Sequence, residues 1–82
     1  MARETIHLVQ AYTQGKRARL IAETPVRCKS PERAMMTAER LAATKAGVVA
    51  FSTSGDPELG EYDDEPVIIF KAGRLPMQFG DG

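Results

Sequence analysis

Ser30-Pro31-Glu32-Arg33-Ala34-Met35-Met36-Thr37-Ala38-Glu39-Arg40-Leu41-Ala42-Ala43-Thr44-Lys45-Ala46-Gly47 is the stretch on which the fold turns. It opens with a hydroxyl able to cap the first free amides and a proline whose missing N–H costs nothing at the first helical position. An acid follows, facing the positive end of the helix dipole. It closes with Lys45 in the last turn and with Gly47, which reads as a left-handed stop. Between these signals Ala34, Met35, Ala38, Leu41 and Ala42 recur at spacings of three and four. The pattern predicts one helix over residues 31–46. Its apolar stripe is thin and alanine-rich, so it must lie close against a sheet, with Glu32, Arg33, Glu39 and Arg40 turned to water.

Working outward, residues 4–14 and 17–28 read as two strands joined by a tight turn at Gln14-Gly15-Lys16. A two-residue turn places His7, Val9 and Ala11 on one face with Ala18, Leu20, Ala22 and Val26. The other face then holds Ile6, Leu8 and Tyr12 with Ile21, Arg17, Arg19 and Glu23. Pro25 cannot donate to a ladder, so its strand bends or lies at an edge there. Beyond the helix, Val48-Val49-Ala50-Phe51-Ser52-Thr53 and Pro66-Val67-Ile68-Ile69-Phe70-Lys71 are β-branched and aromatic runs without clean alternation, the pattern of strands covered on both faces. An acidic loop, Ser54 to Glu65, separates them. Gly73 closes the last strand. The expected fold is α+β, ordered ββαββ: a mainly antiparallel four-stranded sheet with one helix packed on one face.

A chain of 82 residues supports one domain, assigned here to residues 1–73, with 74–82 as a tail that is either disordered or docked through Leu75, Met77 and Phe79. Its 43% hydrophobic and 27% charged residues exclude a disordered chain, and its longest apolar runs are far too short to span a membrane. One cysteine, Cys28, cannot build a disulfide framework, and no apolar segment follows Arg3, so a cytoplasmic location is expected. Net charge is zero, yet unevenly spread. Nine Lys/Arg against four Glu leave residues 1–50 at +5, and two against seven acids leave 51–82 at −5.

Four stretches, Ser30-Pro31-Glu32-Arg33-Ala34, Gly47-Val48-Val49-Ala50-Phe51-Ser52, Gly60-Glu61-Tyr62-Asp63 and Glu65-Pro66-Val67-Ile68, resemble segments of short bacterial proteins of unknown function. The resemblance implies no activity.

Motifs of known chemistry are absent. A nucleophile–base pair has to come from His7 and Cys28, the only histidine and the only thiol. The tight-turn pairing sets His7 opposite Thr24, four residues from Cys28 and beyond hydrogen-bonding reach at ~3.3 Å per residue. Short-spaced zinc ligands and phosphate-cradling glycine spacings are both missing. No catalytic residue, metal or cofactor is therefore expected. The acidic loop gathers Asp56, Glu58, Glu61, Asp63 and Asp64, but the calcium-loop template fails on it, because Gly60 falls one place early and Val67 stands where a bidentate acid is needed. A solvated loop is the leading reading, with a protein contact or a divalent cation as alternatives. Lys16, Arg17 and Arg19 make the hairpin tip basic and are candidate phosphate contacts; Arg27, Lys29 and Arg33 form a second group. Zero net charge and a single nearby aromatic, Tyr12, argue against nucleic acid.

One helix covers one face of a sheet. The other face leaves Ile6, Leu8, Tyr12 and Ile21 in water, a patch of the kind that marks interfaces. The leading expectation is a self-associating protein-interaction module without catalytic activity, forming a homodimer through those residues, with an unidentified protein as a further partner. Nucleic-acid binding through the basic hairpin is the alternative.

Overall fold

In the computed structural model, residues 4–56, 58–62 and 65–76 are described. Two long strands form the centre. β1 (Glu4–Gln14) runs antiparallel to β4 (Gly47–Asp56) in unbroken register, from Glu4 opposite Gly55 to Tyr12 opposite Gly47. Threonine, valine and aromatic side chains at alternate positions favour this extended, pleated conformation. Each central strand has one outer neighbour lane. β2 (Leu20–Ala22) and β3 (Val26–Cys28) both pair with β1, and β5 (Glu61–Tyr62) and β6 (Val67–Gly73) both pair with β4, all antiparallel. The sheet therefore has four lanes, β2/β3–β1–β4–β5/β6, and the order ββαββ holds lane by lane.

The helix α1 (Pro31–Ala42) begins where the sequence places it. Ser30 is extended, and its hydroxyl accepts a hydrogen bond from the Arg33 N–H at 3.1 Å. Its end differs from expectation: the helix stops at Ala42, not Ala46. The N–H groups of Thr44 and Lys45 both turn back to the Leu41 carbonyl, and Ala46 N–H already donates to Tyr12 O. Tertiary pairing with β1 thus ends the helix before propensity would. Gly47 is not a left-handed stop but the first residue of β4. Its hydrogen is needed because the Arg74 carbonyl oxygen lies where a Cβ would stand. Its cross-strand partner Gly73 does take a left-handed φ of 74°, and that turn carries the chain across Gly47.

The first hairpin also departs from the two-residue turn. Lys16–Ala18 form a short 3₁₀ turn with Arg17 left-handed (φ 60°, ψ 37°), and the pairing becomes Tyr12–Ala22, Thr13–Ile21 and Gln14–Leu20. Farther along, Val9 faces Val26 and His7 faces Cys28, so the outer lane holds one extra residue between Ala22 and Val26. Pro25 falls in that break, at the edge. Gln10 seals it: its side-chain amide donates to the Glu23 carbonyl. The Lys45 ammonium meets the Glu23 carboxylate at 2.8 Å from the other side. A second irregularity sits in the opposite lane, where the register shifts between Ala50–Phe70 and Phe51–Ile68, leaving Ile69 unpaired.

The core lies between helix and sheet. Ala34 and Ala38 are fully buried against Val9 and Ala11 of β1 and Val48 and Ala50 of β4, with Cys28, Leu41, Ala42, Ile69 and Phe70 packed around them. Alanines on the helix and short side chains below allow close approach, and each buried valine adds about 1.5–3 kcal/mol. No room remains at Ala38. Ala38→Arg is expected to cost about 3 kcal/mol or more by overpacking and by burying an unpaired charge; equilibrium urea unfolding measures it, and an unchanged midpoint contradicts the packing described.

Candidate functional site

Side chains directly opposite across strands share a face, so the register sorts every candidate residue. Val9 and Ala11 define the helix side. The far side carries Ile6, Leu8, Gln10 and Tyr12 of β1, and Val49, Phe51 and Thr53 of β4. Leu8 faces Phe51, Phe51 faces Ile68, and Arg27 flanks Leu8 on the outer lane. One apolar row thus crosses the sheet, with Ile6 beside it.

Among the described residues this far face is covered at one end only. Tyr12 is 6% exposed and Val49 fully buried, although the helix lies on the opposite side. The chain leaving β6 crosses there, with the Arg74 carbonyl over Gly47 and Leu75 and Pro76 half-buried. Burial raises the Tyr12 phenol pKa above its ordinary value by desolvation. At the other end Ile6, Leu8 and Phe51 are half-buried and Ile68 is 41% exposed. Of the tail residues expected to dock, Leu75 approaches the body; Met77 and Phe79 lie outside the described residues.

Ile21 is not part of this surface. The longer turn changes the parity of the second lane, so Ile21 faces Thr13 on the helix side and, 51% exposed, leans over Gly15. The patch of Ile6, Leu8, Tyr12 and Ile21 expected from sequence is therefore divided. Ile6 and Leu8 stand on the open end, Tyr12 under the chain's own crossing, and Ile21 on the opposite face. Phe51 and Ile68 complete the apolar row across the sheet.

The helix side carries a polar row. Cys28, His7 and Ser52 are direct neighbours on β3, β1 and β4, not separated as the tight turn implied: the outer lane is shifted, and His7 faces Cys28 in place of Thr24. His7 Nδ1 and Ser52 Oγ lie 2.6 Å apart, Thr5 and Ser54 hydroxyls 2.8 Å, and the Cys28 thiol points to Thr37 Oγ1 at 3.9 Å. Acyl-transfer chemistry needs donors for a developing oxyanion beside such a pair. The first turn of α1 supplies few, because Pro31 has no N–H and Ser30 takes those of Arg33 and Ala34. Among the described residues the row satisfies its own polar groups and assembles no such hole.

Charges separate by edge. Lys16, Arg17 and Arg19 surround an open cleft of about 680 Å³ with Ile21 at the hairpin tip. Arg27 and Lys29 lie farther along the same lane, with Arg33 on the adjoining turn of α1, and these line a smaller cleft with Cys28 and Thr37. Arg27 pairs weakly with Glu4 at 3.5 Å, both well exposed. The opposite edge is acidic. The expected dozen-residue loop is shorter, since β4 runs on to Asp56 and β5 interrupts it. Asp56 accepts the Glu58 N–H at 3.0 Å, and Glu61 stands across from Asp56. Asp63 and Asp64 lie outside the described residues. Among those described, no three His, Cys, Asp or Glu side chains converge as metal ligands, and no helix is long and apolar enough to cross a membrane.

A scan against models of protein families, a search among curated proteins and a search among solved structures each return no match.

Two measurements follow from these sites. The folded chain holds the Tyr12 proton where the unfolded chain has lost it, so stability is level below a pH of about 10 and falls above it. Tyr12→Phe should flatten that fall in urea unfolding between pH of about 10 and 11.5. For the acidic edge, calcium at about 5 mM should leave the melting temperature unchanged. A saturable rise, abolished by Asp63→Asn with Asp64→Asn, reverses that expectation.

Proposed function

We propose that this domain is a self-associating interaction module, with no catalytic step, whose contact surface is the open end of the sheet face opposite the helix. The observation that carries this reading is the exposure of Ile68 and the half-burial of Ile6 and Leu8 among the described residues, at the end of the far face away from the crossing at Gly47. A single helix with a narrow alanine stripe has no second surface to offer there. Apolar groups left on an otherwise covered sheet are a mark of contact surfaces, and a second copy of the chain supplies the same shape. The occupant is taken to be a second copy because the cations Lys16, Arg17, Arg19, Arg27 and Lys29 lie along or beside one outer lane and the acids Asp56, Glu58 and Glu61 lie by the other, a separation of charge that is complementary to itself.

The competing class is a nucleic-acid binder. It draws on Lys16, Arg17, Arg19, Lys29 and Arg33, which make no ion pair among the described residues. Its mark is an affinity for single-stranded nucleic acid that falls steeply with salt.

Light scattering at high micromolar concentration is expected to give twice the 9.0 kDa of one chain. Leu8→Glu should return the mass to that of one chain while the helical circular-dichroism signal remains, since Leu8 is only half-buried. A wild-type mass of one chain at every concentration removes the reading. Removing residues 77–82 tests the remaining occupant: a mass that doubles only after truncation assigns the open row to the chain's own tail.

A further inference from the structure

We infer that Cys28 and His7 form a site for a soft monovalent cation of the copper(I) class, held between the Cys28 sulfur and His7 Nε2 on the helix side of the sheet. The inference stands apart from self-association, whose contact surface is the other face.

The strand ladder makes the pair. His7 of β1 and Cys28 of β3 are direct cross-strand partners, so their side chains leave the sheet on one side, with Cβ atoms about 4.5–5.5 Å apart. Hydrogen bonding leaves most of their donor capacity unspent. His7 Nδ1 meets Ser52 Oγ at 2.6 Å, and Nε2 has no hydrogen-bond partner among the described residues. The Cys28 thiol reaches Thr37 Oγ1 at 3.9 Å, a weak contact even for sulfur. Both side chains are half-buried, and both line one cleft of about 390 Å³ with Thr5, Ile6 and Lys29. An imidazole and a thiol thus face the same space.

The donor set selects the ion. Calcium and magnesium take oxygen ligands, and structural zinc takes four donors. Here no third His, Cys, Asp or Glu joins the pair among the described residues. A closed-shell monovalent ion such as Cu(I) is commonly linear with two ligands, and sulfur and imidazole are donors it prefers. Bonds of about 2.3 Å to sulfur and about 2.0 Å to nitrogen, laid end to end, need donors about 4 Å apart. Opposed residues on neighbouring strands provide that span. Charge agrees with the choice. Binding releases the thiol proton, so the cation, the thiolate and a neutral imidazole sum to zero. A divalent ion would leave net positive charge beside Lys29, which lines the same cleft. Ser52 acts as the outer partner: accepting the Nδ1 proton, its hydroxyl fixes the tautomer in which the Nε2 lone pair is bare.

The test is an anaerobic titration of the full-length chain with Cu(I) supplied as its ferrozine complex, whose loss of colour reports each ion taken up. Wild type is expected to take one ion per chain. Cys28→Ser should take none, and His7→Gln should bind more weakly. Ser52→Ala should lose about tenfold in affinity although both ligands remain. Far-ultraviolet circular dichroism checks that each variant is folded. In wild type, where no substitution intervenes, nitrogen NMR of the histidine ring should show Nε2 shifting with Cu(I) and neither nitrogen shifting with Zn(II). A wild type that takes up no Cu(I), or whose Nε2 does not respond to it, overturns the site. So does one ion per two chains, the mark of a bridging thiol, or a His7→Gln variant that binds like wild type, the mark of a thiol acting alone. Saturable Zn(II) binding through the same nitrogen overturns the choice of ion.

Discussion

The close contact of Ala34 and Ala38 with Val9, Ala11, Val48 and Ala50 is the constraint from which the other features descend. Small side chains on the helix bring its axis near the sheet, and only the two central lanes offer a matching floor of small and β-branched residues. The helix is thereby held over β1 and β4 and cannot slide toward either edge without lifting off its contacts. Because it is centred, the outer lanes are left to be finished by local devices. Gln10, Glu23 and Lys45 close the break beside Pro25 on one side, and a bulge at Ile69 relieves the other. Because it is single, the opposite face has to be covered by something else, and among the described residues the crossing at Gly47 does this for the Tyr12–Val49 end.

That division makes sense of what sequence could and could not disclose. The helix start was legible because capping is local: Ser30, Pro31 and Glu32 act within one turn. The helix end was not, because the bond from Ala46 to Tyr12 joins residues 34 positions apart and no nearby residue announces it. The strands around Val48–Phe51 and Val67–Phe70 were plain from their composition. Their facing was not, since it depends on where a lane inserts a residue. An extra residue reverses the parity of everything beyond it. The lengthened turn moved Ile21 to the helix side in this way, and the extra residue between Ala22 and Val26 restored the expected parity, so Cys28 kept its face and was only shifted along the lane to stand beside His7. Of the surface residues, Ile6 and Leu8 lie on the long unbroken β1–β4 ladder, where parity is safe, and these are the two that remain on the open row. Gly47 misled in a different way: a glycine after a helix suggests a stop, whereas its small size here serves a chain crossing encoded 27 residues later.

The polar row of Cys28, His7 and Ser52 shows the same limit from the other direction. Nothing in the spacing of residues 7, 28 and 52 suggests that they touch; three strands from two hairpins bring them together. Proximity alone is not chemistry, however. The histidine nitrogen is occupied by a hydroxyl, and the first helical amides are spent on Ser30, so the row contributes a locally satisfied patch among the described residues, while the charged edges and the open apolar row remain the surfaces turned outward.

The lane order has one more consequence. Each outer lane and its central neighbour form a two-lane unit, one from residues 4–28 and the other from 47–73, and the helix is the strap between them. A two-stranded unit is marginal alone in water, and here the seam joining the two is also the floor of the core. The core is therefore complete only when both units are in place. If the strap were cut after Ala43, the pieces would be two chains of opposite sign, each unstructured by itself and each carrying half of a hydrophobic interior. Long-range attraction would favour their encounter, which makes this fold a candidate for a split protein reconstituted from its fragments.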